Sequence, residues 1–182
     1  MLRADVLDGT VVATAGGARH VAARCAALGA TTLAIAADPR DEDALSTAAA
    51  ALGPVGTLVC DAVPAFVVAG GGIDGLRAGL DETWNVARAV TNAIWRPGDV
   101  GKLVLLAPRR RDGLHAGALA AALENTARTL SIEWARYAIR TTAVLPGDAT
   151  EDEDVAGLVA YLASPAGDYF SGCAFPLGAV AG

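Results

Sequence analysis

Two glycines that follow a short apolar run mark the first place where this chain could bind an anion. The segment TAGGARH begins at Thr14 and places Gly16 and Gly17 between a predicted strand and a predicted helix. Glycine lets backbone amides approach a phosphate closely, and the helix N-terminus that follows favours negative charge. Asp38 lies about twenty residues downstream, the distance at which an acidic side chain binds a ribose hydroxyl in dinucleotide sites. The glycines also fit a plain strand-to-helix turn, which we favour, and Asp38 also fits the end of a strand.

An arginine run forms a second candidate group. Arg109, Arg110 and Arg111 directly follow a predicted strand, at the edge where parallel sheets bind ligands. Guanidinium groups there fit a phosphate or carboxylate ligand, and they also fit a solvated charge run. The acidic run 151–154 offers no separated set of ligands, so we interpret it as a helix N-terminus and expect no metal.

The composition is that of a folded chain with a sizeable core. The 182 residues are 53% hydrophobic and 19% charged, which argues against disorder. We therefore expect a single domain over residues 1–182. A net charge of −6 argues against nucleic-acid binding. The sequence contains no run of 18 apolar residues and no signal-peptide pattern, so we expect a cytoplasmic protein that does not bind membranes.

The cysteines indicate no disulfide framework. Cys25, Cys60 and Cys173 have neither metal-like nor CxxC spacing, and their number is odd. We expect all three to be small buried apolar residues.

Apolar, β-branched runs alternate with helical patterns along the chain. The predicted strands are 9–16, 31–38, 56–62, 101–108, 139–146 and 173–177. The predicted helices are 18–28, 41–52, 81–95, 114–137 and a last one through Leu162, which begins at a capping box of Thr150 and Glu153. We interpret 64–75 mostly as loop, because three glycines interrupt it. This alternation predicts a doubly wound α/β fold, with a mainly parallel sheet and helices on both faces.

The C-terminal half carries a family resemblance. Residues 130–147, LSIEWARYAIRTTAVLPG, are similar to the "slA-E-a-ygIRvN-v-PG" stretch of the short-chain dehydrogenase/reductase family. The matching residues are Glu133, Ile139, Arg140, Pro146 and Gly147. VAGLVAYLASPAGDYFSGCAFPLG resembles the C-terminal segment of that family, and TLVCDA lies where the family has "vLVnnAG". The resemblance implies a reduced Rossmann-like fold and NAD(P)-dependent oxidoreductase chemistry.

The residues that perform the family's reaction are missing from the matching positions. The family uses a Ser after a central strand, and a Tyr with a Lys four residues later on the long helix. Counting back from Glu133 places these on Pro108, Ala116 and Ala120, which neither transfer protons nor carry charge. His115 is the one candidate for a substitute acid. Because neighbouring helix residues point about 100° apart, it also fits a solvated or capping histidine.

Comparison with the family also predicts that parts of the chain have been lost. On one alignment Asp38 takes the ribose-binding position. On the other, residues 37–45 match a later segment that contacts adenine, and one strand–helix unit is deleted; we favour this deletion because the chain is short. The glycine turn is shortened, with Ala18 near the place of its last glycine. After Pro146 and Gly147 the chain enters the next helix directly, without the segment that covers substrate in the family.

These departures favour a degenerate family member that acts as a non-catalytic subunit or scaffold. It would form a homo-oligomer, or a hetero-oligomer with an intact family member, through helices 81–95 and 114–137 and the last strand. Ala121 and Ala127 are the predicted small contact residues of the long helix.

Two alternatives remain open from the sequence. One is an active NAD(P)-dependent oxidoreductase with substituted residues such as His115 and 109–111. The other is a module that binds a small ligand or anion. We expect no bound cofactor; if NAD(P) binds, the residues predicted to hold it are Thr14, Gly16, Gly17 and Asp38.

Overall fold

A sheet of six parallel strands organises the part of the chain that this computed structural model describes, residues 2–96 and 100–178. The strands are β1 (Val11–Ala15), β2 (Thr31–Ala34), β3 (Thr57–Asp61), β4 (Lys102–Leu106), β5 (Arg140–Pro146) and β6 (Cys173–Leu177). The helices are α1 (Arg19–Ala26), α2 (Glu42–Ala51), α3 (Val63–Val68), α4 (Ile73–Val90), α5 (Ala116–Glu133) and α6 (Asp152–Ala163). The strand order is β2-β1-β3-β4-β5-β6, with parallel pairing throughout. The predicted doubly wound α/β fold is confirmed.

The sheet separates two apolar layers, because successive residues of a strand point to opposite faces. In β3, Leu58 belongs to the layer formed with α2, α4 and α5, whereas Val59 belongs to the layer formed with α1 and α6. Leu119 and Leu123 of α5 are fully buried in the first layer, as their helical spacing predicts. The connections that follow each strand therefore collect at the carboxyl edge of the sheet, above a packed core.

The segment 64–75 is largely helical, and its interpretation as loop was wrong. It contains most of α3 and the start of α4, which begins well before the predicted position at Asp81. Pro64 stands in the first turn of α3, where its fixed φ favours a helix and its missing N–H leaves no bond unmade. The glycines only connect the two helices, with φ of +87° at Gly70 and +66° at Gly71.

Strand β2 forms one edge of the sheet, so the prediction of a buried strand over 31–38 was wrong. The strand ends at Ala34, and its residues are exposed or half-buried. A common doubly wound order is 3-2-1-4-5-6, with two strands beyond the first one. This sheet has one strand there, as the predicted deletion of a strand–helix unit requires. An edge strand has a neighbour on one side only, which explains why β2 is exposed.

The predicted capping box at the start of α6 does not form. The Thr150 hydroxyl accepts the Gly147 N–H at 3.1 Å and donates to the Leu177 carbonyl at 3.0 Å. Helix α6 has no side-chain cap, although its first turn is acidic as predicted. Thr150 therefore holds the β5–α6 connection against the end of β6.

The long helix predicted over 114–137 is interrupted near its end. After α5 the chain forms a short 3₁₀ turn, Ala135–Tyr137. Ala127 is fully buried in the core, whereas Ala121 is exposed. Ala127 therefore packs on the sheet and cannot be the contact residue that the sequence predicted.

Candidate functional site

The connection from β1 to α1 is a tight glycine turn against the end of β3. Gly16 and Gly17 have φ of +79° and +97°, a region that favours glycine. A Cβ on Gly16 would lie 2.0 Å from the Asp61 carbonyl oxygen, so packing alone requires glycine there. The buried Thr14 hydroxyl donates to the Leu33 carbonyl of β2 at 3.4 Å. Of these predicted cofactor residues, the two glycines are exposed and Thr14 is bonded within the sheet.

A cleft of about 220 Å³ lies where the strand order reverses, beyond the carboxyl ends of β1 and β3. Doubly wound folds bind ligands at this switch point. Asp38 is exposed nearby, and its carboxylate accepts the Arg40 N–H at 2.9 Å in a local turn. The wall of the cleft is mainly apolar, with contributions from Ala15, Ile35, Ala37, Pro39, Ala62 and Val86.

Asp61, at the end of β3, is a titratable residue of this edge that the sequence analysis did not select. Its carboxylate accepts the Val63 N–H at 3.0 Å. Burial raises the pKa of Asp61 to about 6; the Val63 hydrogen bond and Arg109 act to lower the pKa, while Asp152 acts to raise it. A carboxylate placed directly after an apolar strand is the sequence signal that could have identified it.

Arg109 leaves β4 at the same edge and turns inward. Its side chain is 14% exposed, and its Nη2 donates to the Asp152 carboxylate at 2.5 Å and to the Thr150 carbonyl at 3.1 Å. The prediction of a solvated charge run is therefore wrong for Arg109. It holds for Arg110 and Arg111, which are exposed.

Acidic residues of the neighbouring connections bind this arginine segment. Asp112 accepts the backbone N–H of Arg109 at 2.7 Å. Asp148 accepts the backbone N–H of Arg111 at 2.9 Å, and the Asp148 carbonyl accepts from the Arg111 guanidinium at 2.8 Å. The hydrogen bond from Arg109 lowers the pKa of Asp152, with smaller contributions from neighbouring charges. The edge is thus a mixed-charge network rather than an open cationic patch.

The start of α5 carries the positions that the resemblance equates with the family's catalytic residues. Ala116 is 1% exposed and packs in the core. Ala120 and Pro108 line a second cleft, of about 340 Å³, at the ends of β4, β5 and β6. His115 is the N-cap residue of α5, and its buried Nδ1 has no hydrogen-bond partner among the residues that the structure describes. The structure therefore brings Ala120 and Pro108 to one cleft and leaves Ala116 facing inward.

The tyrosines and the single lysine of the chain lie at the opposite, amino edge of the sheet. Lys102 is the first residue of β4 and pairs with Asp168 at 2.7 Å. Tyr137 immediately precedes β5, Tyr161 lies in the last turn of α6, and Tyr169 lies in the connection to β6. A strand of five residues, about 16 Å long, separates the two edges.

The described part of the chain presents no grouped metal ligands, and two of its cysteines are buried. Within residues 2–96 and 100–178, no three His, Cys, Asp or Glu side chains are arranged to hold a metal ion. Burial raises the pKa of Cys25 to about 11 and raises the pKa of Cys60 as well. These two cysteines are buried as predicted, whereas Cys173 is half-buried at β6.

Membrane insertion by a helix receives no support from the same residues. None of the helices in the two described ranges combines the length and apolar character needed to cross a bilayer.

Solved structures that share this fold include several dehydrogenases. The citronellol catabolism dehydrogenase AtuB of Pseudomonas aeruginosa PAO1 matches with a TM-score of 0.79 and 25% identity, over 97% of this chain and 96% of that chain. A hydroxysteroid dehydrogenase from Escherichia coli matches with a TM-score of 0.74 and 18% identity, over 94% and 97% of the two chains. BdcA (YjgI) from E. coli matches with a TM-score of 0.69 and 20% identity, over 94% of this chain and 100% of that chain. No family model matches the sequence, and no curated protein matches it either.

The strand order, the glycine turn and the switch-point cleft define a doubly wound fold of the Rossmann type. The structural match to dehydrogenases agrees with the short-chain dehydrogenase/reductase resemblance of residues 130–147. The chain is therefore related in structure to dehydrogenases of that family.

Proposed function

We propose that this chain is a non-catalytic subunit or scaffold with a reductase fold, which associates with itself or with an intact short-chain dehydrogenase/reductase. The observation that carries the proposal is the position of Lys102 and the tyrosines, at the amino edge of the sheet. Carbonyl reduction in the family needs a positioned Tyr and Lys at the carboxyl edge. Ala116 and Ala120 stand at the equated positions and supply no proton.

We propose that the chain binds NAD(P) weakly or not at all. The Asp61 backbone and β-carbon lie against Gly16. A pyrophosphate at the glycine turn would therefore approach the Asp61 carboxylate, which opposes its charge. Calorimetric titration with NADH and NADPH is expected to give no binding in the low micromolar range. A dissociation constant of about 1 μM or tighter, near −8 kcal/mol, would contradict this.

An NADH and NADPH oxidation assay across a broad panel of carbonyl compounds tests the lack of catalysis. A general acid typically contributes about 10²–10⁴-fold, and oxyanion donors add comparable factors. We expect no turnover by the chain alone. Turnover above about 1 s⁻¹ that disappears in a His115→Ala variant would establish an enzyme with His115 as its acid. A Cys173→Ala variant is the matched control, because Cys173 lies at β6 and not in the β4–α5 connection.

Aromatic residues on the outer face of α4 and α5 support association. Trp84 and Trp134 stack with ring centroids 6.3 Å apart and planes at 19°. Trp84 is 43% exposed, and Ile132 on the neighbouring turn is 77% exposed. Large aromatic side chains are enriched among the residues that dominate protein interfaces. The resemblance places the family's association surface on the same two helices.

A further inference from the structure

Strand β2 has a free edge, because β1 is its one neighbour in the sheet. In a parallel ladder, alternate residues of a strand bond to the same neighbour. The N–H groups of Thr31 and Ile35 donate to carbonyls of the β1 segment, both at 2.9 Å. Thr32 and Ala34 therefore turn their N–H and C=O groups to the open edge. Among the described residues, no other segment bonds to these groups.

The free edge of β2 lacks the features that usually prevent strand pairing. Natural edge strands carry charges or prolines, or are covered by another element. Residues 31–37 read TTLAIAA, without a charge or a proline, and Thr31, Ala34 and Ala36 are exposed. The short length of the strand is what limits the pairing that this edge can form.

The opposite edge of the sheet, at β6, carries a proline. The Leu177 carbonyl accepts the Gly147 N–H at 2.8 Å, so Leu177 bonds toward β5 and Pro176 turns to the open side. Proline has no N–H to donate to a further strand. Of the two edges, β2 is therefore the one better suited to accept a strand.

A second copy of this chain matches the free groups of β2 in an antiparallel arrangement. A two-fold axis at Leu33 places Thr32 opposite Ala34 of the second copy, and each such pair exchanges two N–H···O=C bonds. Leu33 then faces Leu33 of the second copy in the closer, non-hydrogen-bonded pair. Leu33 is half-buried and shares the sheet face of its β1 neighbour Ala13, the face that packs against α2. The two leucines would therefore cover each other.

Charges beside β2 favour the antiparallel arrangement over a parallel one. The segment that follows the strand is exposed and mainly acidic, with Asp38, Asp41, Glu42 and Asp43 against the single Arg40. A parallel pair would bring the two acidic segments together, and like charges repel. An antiparallel pair holds them at opposite ends.

We propose that β2 pairs with β2 of a second copy, so that the two sheets join into one. Strands of this length bury less than the roughly 1,000 Å² that a stable interface needs, so the contact is weak and forms at high protein concentration. It uses a surface separate from the outer face of α4 and α5. The two contacts can therefore fail independently of each other.

Cysteine cross-linking tests the register. In Cys173→Ser protein the two remaining cysteines are buried. Adding Leu33→Cys brings two Cα atoms to about 4.5 Å across the axis, within the reach of a disulfide. Thr31→Cys is the control, because residue 31 is more exposed but its two Cα atoms would lie about 14 Å apart. We expect at least tenfold more disulfide-linked dimer from Leu33→Cys. Equal yields, or no dimer from Leu33→Cys, would overturn the pairing.

A proline at the free edge tests the pairing without a cysteine. Ala34→Pro removes an N–H that β1 does not use, so the sheet should persist, which circular dichroism checks. Ala174→Pro is the matched control, at an outward position of the β6 edge. Both changes are made in Trp84→Arg protein, so that the helical face does not contribute to association.

Sedimentation of these proteins is measured from about 20 μM to about 1 mM, the range in which a weak contact forms. We expect the Trp84→Arg parent and the Ala174→Pro control to change from monomer to dimer across this range. Ala34→Pro should associate at least tenfold more weakly. A parent that stays monomeric, an Ala34→Pro protein that dimerises like its parent, or an equal loss in Ala174→Pro would each contradict pairing at β2.

Discussion

At the scale of single residues, the carboxyl edge of the sheet is shaped by direct contacts between a few groups. Gly16 lies against the Asp61 backbone, and Arg109 bonds to Asp152. Each contact joins residues that are far apart in the sequence. The glycine turn therefore has a packing function that is independent of any ligand.

The two glycines of the turn should differ in their response to alanine. Both have positive φ, which costs an alanine about 1–2 kcal/mol. A Cβ on Gly17 meets only the Pro64 side chain at 4.0 Å, whereas one on Gly16 meets the Asp61 carbonyl oxygen. We expect Gly16→Ala to lower the free energy of unfolding by at least about 2 kcal/mol more than Gly17→Ala. Urea unfolding of the two variants measures the difference, and equal losses would show that the loop moves freely.

Asp61 should make stability depend on pH with an unusual sign. Its folded pKa of about 6 lies above the ordinary value of 3.8, so the native state holds the proton more tightly than the unfolded chain does. Its contribution to stability is complete below about pH 4 and is lost as the pH rises through 6. Asp61→Asn should therefore stabilise the fold at pH 8, by up to about 3 kcal/mol, and have little effect near pH 4.

Urea unfolding between pH 4 and pH 8 tests this, with Asp152→Asn as the opposite case. The pKa of Asp152 is lowered, so its carboxylate stabilises the fold at neutral pH and its loss should destabilise it there. If Asp61→Asn were less stable than the wild type at pH 8, the assignment of Asp61 as a buried carboxylate with a raised pKa would be wrong.

At the scale of elements, the packing of α5 decides at which of the positions that match the family's catalytic residues a catalytic side chain could be restored. Position 116 lies at the first turn, facing the core, and position 120 lines the cleft at the ends of β4 to β6. A helix fixes these directions once its apolar face is packed, so a substitution at 116 cannot simply point into the cleft.

Restoring the tyrosine should damage the fold rather than restore a reaction. Ala116→Tyr places a large ring in a filled core and should cost about 1–3 kcal/mol or more. Ala120→Lys extends from a half-buried position along the cleft and should cost less than about 1 kcal/mol. Thermal unfolding and the reductase assay of both single variants and the double variant provide the check. A stable double variant that reduces a carbonyl would show that the scaffold had kept its catalytic geometry.

At the scale of the whole molecule, the described residues offer partners the open sheet edges at β2 and β6 and the outer face of α4 and α5. The helical face carries exposed aromatic and aliphatic side chains. A stable interface there should bury well over about 1,000 Å² in total.

Association should be sensitive to charge on this face. We expect an oligomer in which Trp84→Arg or Ile132→Arg produces a folded monomer, because each would bury an unpaired charge in the interface. Leu114→Arg is the control: Leu114 is 88% exposed but lies before the other end of α5, about 27 Å away. Light scattering and circular dichroism measure mass and folding. A wild-type monomer at tens of micromolar would contradict the association surface.

The amino-acid sequence by itself determined the class of fold and most of its elements. Apolar strands, helical spacing and the segment 130–147 are local patterns. Each indicates whether its own residues are buried and which element they form. Those patterns predicted the parallel sheet with helices on both of its faces. The main wrong prediction concerned residues 64–75, because a short helix with a proline in its first turn, followed by a turn of glycines, has the same composition as a loop.

Only the tertiary structure decided which side chains meet. Asp61 ends β3, Arg109 follows β4 and Asp152 begins α6, so no local pattern brings these residues together. The exposure of β2 depends on its place at the edge of the sheet, and the burial of Ala127 depends on the sheet beneath α5. Charge pairing, burial and edge exposure are properties of contacts between distant segments, and these exist only after the segments have packed.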